Sequence, residues 1–234
     1  GYYCELKIDG LAIELVYERG ILEVGSTRGD GIIGEDVTQN LKTVEAIPLR
    51  LLDEEEVSKN LKKEKLERFA TGVKKALLGK LVVRGEVFIT KKDFERINRE
   101  QKKNELKIYA NPRNLAAGSV RQLDPSITSS RKLDSYAYSL KTDVEQVTHE
   151  EEHLILKALG FKINTHNEFR KDLHSVQEFR DYWEKHREKL NYEIDGIVVI
   201  LNDDKTFQRL GVVGKSPRGA IAYKFSPKES QTIV

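Results

Sequence analysis

The chain has 234 residues, with 40 basic and 38 acidic side chains and a net charge of +2 at neutral pH. That length can bury a real hydrophobic core, as one large domain or two small ones, and argues against disorder; the near-cancelled charge means that nucleic-acid affinity must come from local clusters of cations. Cys4 is the only cysteine, which excludes an intrachain disulfide and a multi-cysteine zinc site, and no window has the apolar run of a membrane span or the layout of a secretory leader, so a cytoplasmic protein is expected.

Residues 2 to 9 alternate apolar and polar side chains, Leu11 to Tyr17 continues the pattern, and Glu18-Arg19-Gly20 turns the chain into Ile21 to Ser26, which predicts an antiparallel meander with Cys4 buried in its first strand. A glycine-rich stretch (Gly25, Gly29, Gly31, Gly34) leads to a short helix expected from Glu35 to Leu41. Residues 52 to 79, charge-rich with leucines at helical spacing, predict one or two exposed helices in a peripheral role. Leu81 to Ile89 reads as a strand, and Thr90 with Asp93 three residues on reads as the capping box of a helix reaching Lys103. Pro112 suits the first turn of a helix over Asn111 to Leu123, and Asp134 to Leu140 is a further strand. Thr148 with Glu151, and Ser175 with Glu178, repeat the capping signal, and Gly160 marks a helix end. Strands at Glu193 to Leu201 and Ala220 to Phe225 close a pattern that favours the α+β class, with mixed, largely antiparallel sheets flanked by helices.

In Glu5-Leu6-Lys7-Ile8-Asp9-Gly10, strand periodicity puts Glu5, Lys7 and Asp9 on one face. Such a face is either solvated, with ion pairs worth little, or it presents a lysine nucleophile, whose amine must lose its proton with the help of nearby cations. Arg113 and Arg121, eight residues apart in the expected helix, are either solvated or aimed together at one anionic partner.

Lys7-Ile8-Asp9-Gly10 resembles the Lys-x-Asp-Gly motif of covalent nucleotidyltransferases, the ligases and mRNA-capping enzymes. Thr27-Arg28-Gly29-Asp30-Gly31, Gly34-Glu35-Asp36-Val37-Thr38, Arg84-Gly85-Glu86-Val87, Tyr109-Ala110-Asn111-Pro112-Arg113-Asn114, Ala116 to Asp124, Tyr192 to Gly196 and Pro217 to Phe225 are similar, in the same order, to NAD+-dependent DNA ligases of the bacterial type. The resemblance covers nearly the whole chain and implies a single nucleotidyltransferase (ATP-grasp-like) domain over residues 1 to 234. It implies that Lys7 attacks the α-phosphorus of NAD+, releases nicotinamide mononucleotide and carries AMP, which then passes to the 5′-phosphate of a nick that is sealed, in DNA replication and repair. By the same resemblance Glu5 reads the adenine edge, Tyr138 stacks on the base with Val198 on its other side, and Glu86 holds the ribose. Asp9 and Asp195 are the essential acids, Asp195 being the candidate for organising Mg2+ or Mn2+, and Lys224 is aimed at the α-phosphate. Arg28, Arg113, Arg121 and Arg187 serve the nucleotide and the nick. The implied partners are NAD+ or AMP and nicked double-stranded DNA, the implied setting is the bacterial cytosol, and a monomer without zinc in this segment is expected.

Three departures stand out, of which the first bears on activity and the other two read as packing changes. The family pattern has a lysine where Ile200 stands, on the face shared with Gly196 and Val198, so Lys215, Lys224 or an arginine is the expected compensating cation. Without compensation the chain is a non-catalytic or weakly active module binding adenine nucleotide or nicked DNA. Gly219 and Asn191 stand where the pattern has tryptophan and proline. An ATP-dependent ligase or capping-type enzyme is a third alternative, sharing the lysine motif but not the Asn-Pro-Arg-Asn string. The abrupt start inside a strand reads as a fragment: the family's N-terminal helical domain would precede Gly1, and its OB-fold, zinc finger, helix-hairpin-helix and BRCT modules would follow Val234. For residues 1 to 234 alone, AMP binding with little reaction with NAD+ is expected.

Overall fold

A computed structural model describes residues 1–29, 33–214 and 216–226. The strands are β1 (Tyr2–Ile8), β2 (Leu11–Glu18), β3 (Ile21–Thr27), β4 (Lys80–Phe88), β5 (Asp134–Leu140), β6 (Glu168–Arg170), β7 (Ile194–Leu201), β8 (Val212–Val213), β9 (Ser216–Pro217) and β10 (Ala220–Lys224). The helices are α1 (Thr38–Leu41), α2 (Glu54–Lys63), α3 (Ala70–Leu78), α4 (Lys91–Lys103), α5 (Pro112–Val120), α6 (Pro125–Ser130), α7 (His149–Ala158), α8 (Leu173–His186) and α9 (Asp204–Leu210). They build the α+β architecture expected from the sequence.

Two four-stranded antiparallel sheets carry the fold, one in the order β10-β7-β1-β6 and the other β3-β2-β4-β5. The chain starts in the first sheet, builds the second, and returns to lay β7 and β10 beside β1, so the opening and closing motifs become neighbours. β2 and β3 join through Arg19-Gly20 at φ 50° and 73°, the two-residue turn whose twist suits a hairpin. On one face of the first sheet Cys4, Leu6, Ile197 and Val199 bury against Val176, Phe179 and Trp183. The other face carries Tyr3, Glu5 and Lys7, paired with Ile200, Val198 and Gly196. Phe88, Tyr136 and Tyr192 stack at 5.1 to 5.7 Å between centroids and fasten the two sheets together.

Four local expectations change. α1 begins only at Thr38, because Glu35 and Asp36 are spent on β3: the Glu35 carbonyl takes the Thr27 amide at 3.0 Å, and Asp36 takes the Thr38 amide at 2.9 Å and its hydroxyl at 2.6 Å. α2 and α3 exist, but they are not peripheral, since Val57, Leu61, Phe69 and Val73 are buried in the main core. α5 stops at Val120, so Arg121 lies at its C-cap and does not share a helical face with Arg113. α8 starts earlier than Ser175: Asp172 is the cap and Ser175 is the third residue of the box.

Candidate active site

Two glycines let the catalytic strands close up. A Cβ on Gly10 would sit 2.4 Å from the Val87 carbonyl of β4, and one on Gly196 would sit 2.5 Å from the Tyr223 carbonyl of β10. Each follows an aspartate, so both aspartates stand where three strands converge. The register of β1 on β7 slips between Lys7 and Ile8, leaving Asp195 as the extra residue of a β-bulge. Bulges re-aim side chains, and this one turns Asp195 toward Lys7, which pairs with Gly196 across the strands.

Asp195 then joins two cations. Its Oδ1 is 3.2 Å from the Lys7 amine and its Oδ2 is 3.1 Å from the Lys224 amine. The Lys7 contact lacks hydrogen-bond geometry, and Oδ1 is buried without a hydrogen-bond partner. Asp9 lies beside this group, 3.7 Å from Arg113 Nη1. Burial first, and then the Asp195 charge, raise its carboxyl above the ordinary range, against the pull of Arg113, Lys7 and Lys224. Behind Lys224 the Arg180 guanidinium, almost fully buried, donates to the Lys224 carbonyl at 3.2 Å, grips Glu184 and stacks over Tyr223 at 4.8 Å. It fixes the end of β10 and was not singled out in the sequence, where its spacing of four from Glu184 was the available signal.

Glu86 enters from β4 opposite Ala12 and Tyr136. Burial pushes its carboxyl up to about 7, with Lys7, Arg113 and the Gly10 amide pulling the other way. Between its ordinary carboxylate range and that value, the folded chain holds a proton that the unfolded chain has released, so stability falls as pH rises through this window. The expected decline is roughly 3 kcal/mol between pH 4.5 and 7.5. Glu86→Gln is expected to remove it, and denaturant melts of both proteins across that range check it; an unchanged slope in the variant assigns the decline elsewhere.

Glu5, Tyr138 and Val198 form the second half of the site. Val198 pairs with Glu5 across β1 and β7. Tyr138 is the extra residue where β5 slips against β4 between Arg84 and Gly85, a second bulge. Burial, then the Glu86 and Glu5 charges, push its phenol up, and the Arg28 and Arg84 charges oppose them. Glu5 is 6% exposed, and one of its oxygens takes both His149 Nε2 and His153 Nε2 at 2.7 Å. These two contacts outweigh its burial and hold the carboxyl below the usual range. The histidines were missed in the sequence; the signal was His149-Glu150-Glu151-Glu152-His153, two histidines one helical turn apart.

Lys7, Asp9, Glu86, Arg113, Asp195 and Lys224 thus meet in one place, with Glu5, Tyr138 and Val198 next to it. Arg187 stacks over Phe225, the residue after Lys224, at 5.6 Å. Arg121 is engaged by Glu35 at 2.6 Å and has no contact with the cluster. Ile200 is 8% exposed and pairs with Tyr3 and Ala220, on the Glu5 face as strand alternation requires. Of the expected compensating cations Lys224 reaches the site, while Lys215, like Asp30 and Gly31 of the glycine-rich string, lies outside the described residues. Among the described residues no helix is long and apolar enough to cross a membrane.

Residues 1–228 match the family described as the NAD-dependent DNA ligase adenylation domain. The chain is 46% identical to a DNA ligase of Bacillus cytotoxicus over 99% of its own length and 31% of that protein's. It is 40% identical to a DNA ligase of Clostridioides difficile, over 100% of this chain and 31% of that one, and 44% identical to a DNA ligase of Oceanobacillus iheyensis, over 100% and 32%. The chain therefore spans about a third of the length of these relatives.

Proposed function

The chain belongs to the NAD-dependent DNA ligase adenylation-domain family, and from that premise we propose that residues 1 to 234 are the nucleotidyltransferase unit in which Lys7 takes AMP from NAD+ for the sealing of nicked DNA. The observation that carries this reading is the Lys7–Asp195–Lys224 arrangement, an amine and a second cation held by one carboxylate at 3.2 and 3.1 Å. Lys7 attacks the α-phosphorus as an unprotonated amine, with Asp195 as the adjacent acceptor for its proton. The Nζ–P bond forms while the bond from phosphorus to the bridging oxygen breaks, and nicotinamide mononucleotide leaves with the electron pair.

Lys224, with a side chain 68% exposed and its amine on Asp195, turns to the α-phosphate, where negative charge spreads over the oxygens in the transition state. Glu86 suits the ribose hydroxyls, and Tyr138, Val198 and Glu5 suit the two faces and the edge of the adenine. The buried, unbonded Asp195 Oδ1 beside Asp9 offers the oxygen donors that fit a hard divalent cation such as Mg2+ or Mn2+, which supplies charge neutralisation at the phosphates when bound. Arg28 serves the nucleotide, and Arg113, Arg121 and Arg187 supply the phosphate contacts of a duplex that is gripped without reading its sequence. Arg113 and Arg121 exchange Asp9 and Glu35 for phosphate when they do so.

Full-length protein carrying this chain, incubated with Mg2+ and either donor, is expected to gain one AMP and release nicotinamide mononucleotide with NAD+, and to gain nothing with ATP. An adduct from ATP alone would move the chain to the ATP-dependent reading.

Burial of Ile200 supports compensation over a lapsed site. Ile200→Lys is expected to bring no gain in adenylation rate and to cost about 1–3 kcal/mol of stability, because it puts an ammonium in a place lined by Tyr3 and Ala220. A large gain in rate would instead favour the weakly active binding module.

A further inference from the structure

Glu5 is the point where β1 meets α7, and its surroundings have the chemistry of a metal centre. One Glu5 oxygen lies 2.7 Å from Nε2 of His149 and 2.7 Å from Nε2 of His153, and the ligand atoms of the three residues all lie within 4.8 Å of one another. His149 and His153 are a helical turn apart on α7, the spacing of His-Glu-x-x-His sites, which sets two imidazoles on one face of a helix. The other nitrogen of His149, Nδ1, is held at 2.9 Å by Glu152, which is itself fixed by the Leu140 amide. A carboxylate on the far nitrogen is the usual outer support of a metal-binding histidine, setting its ring and raising its basicity.

The frame is rigid. Thr148 and Glu151 cap the start of α7, Asn202 at the end of β7 takes the His149 amide at 2.9 Å and the Glu150 amide at 3.0 Å, and Tyr3 packs on the two rings at 5.5 and 4.8 Å. His153 is fully buried, and its Nδ1 has no hydrogen-bond partner.

We propose that Glu5, His149 and His153 form a binding site for one divalent transition-metal ion of the zinc class. Two imidazoles and a carboxylate select such a borderline ion over Mg2+ or Ca2+, which prefer oxygen ligands throughout. An ion with bonds of about 2.0–2.2 Å sets its ligand atoms roughly 3.3 Å apart, so the present 2.7 Å contacts open by about half an ångström to admit it. The ion takes the place of the protons now shared in the cluster, and its two positive charges balance Glu5 and Glu152. The expectation of no zinc in this segment rested on the cysteine count, which does not bear on a histidine and carboxylate site.

A consequence rests on the adenine-reading role given to Glu5: an ion bound there occupies the carboxylate that would meet the base, so zinc and AMP exclude each other. Occupancy by zinc then holds the site in a form that does not accept nucleotide.

The test uses the metal-free chain of residues 1 to 234, whose one cysteine is Cys4, titrated with Co2+ and then Zn2+. The result expected is one Co2+ per chain with the intense visible bands of low-coordinate cobalt, abolished by Zn2+. His149→Gln and His153→Gln are expected to lose the bands, Glu152→Gln to weaken binding about 10–100-fold, and Asp195→Asn to leave the bands in place. Absence of bands in the wild type, or their survival in both histidine variants, overturns the site. If circular dichroism shows that His153→Gln does not fold, His149→Gln and Glu152→Gln decide. Zn2+ is also expected to weaken AMP binding in the wild type and not in His149→Gln. Stoichiometric Zn2+ binding that leaves AMP affinity unchanged would keep the metal site and reject the adenine role of Glu5.

Discussion

Lys7→Ala is expected to bind AMP and to form no adduct with it. The loss of adduct is expected to be complete, because Lys224, the other amine on this carboxylate, comes from β10 onto its opposite oxygen and not along the line of attack given to Lys7. Stability should fall by about 1 kcal/mol, as the pair is partly buried, with side chains 24% and 29% exposed, but Asp195 keeps Lys224 at 3.1 Å. Lys7→Arg separates charge from reactivity. It restores a cation beside Asp195 but cannot shed its proton in a protein, so it too should give no adduct. Intact mass of the three proteins after incubation with NAD+ and Mg2+ checks both variants. An AMP adduct on either would place the nucleophile elsewhere.

Lys224→Ala is expected to slow adenylation about 10²–10³-fold, the usual cost of removing one preorganised partner of transition-state charge. Its side chain is 68% exposed, so folding should not suffer and the effect should fall on the chemical step. Two influences combine here. The α-phosphate loses its cation, and Asp195 is left with Lys7 as its only ion-pair partner among the described residues, which restrains the amine that must attack. Lys224→Arg should recover part of the rate through charge and lose part through geometry. Single-turnover adenylation measures all three, and a rate for Lys224→Ala equal to the wild type would remove Lys224 from the mechanism.

What could be read in the sequence depended on how far each feature is local. β1 to β3, α4 and the capping of α7 follow from periodicity and from boxes spanning four residues, and they stand where expected. The motif string around Lys7 carried the family resemblance because its residues lie within one strand and its turn. Asp195 and Tyr138 were named as site residues, yet the bulges that aim them were invisible, since a bulge is a property of pairing and not of one strand's pattern. The helices of residues 52 to 79 were given a peripheral role because their charge outweighs their leucines in composition; folding counts only the face turned to the core, and Val57 and Leu61 are on it. The histidines of α7 escaped because their partner, Glu5, is 144 and 148 residues away. The same separation explains Arg180, whose role appears only when α8 packs against the end of β10.

Arg121 shows the opposite effect. A helix continuing to Leu123 would have aligned it with Arg113, but the helix ends at Val120 and Glu35 holds Arg121 away from the cluster. The phosphate role proposed for it therefore requires that DNA draw it off Glu35, whereas Arg113 already stands at Asp9.

The most direct test of Lys7 as the carrier of AMP is to react full-length wild-type protein with NAD+ and Mg2+, digest it, and locate the added mass by peptide sequencing. The expected result is one AMP per chain on the peptide containing Lys7, through a phosphorus–nitrogen bond that acid hydrolyses. AMP on any other residue, or no AMP on folded protein with NAD+, would contradict it.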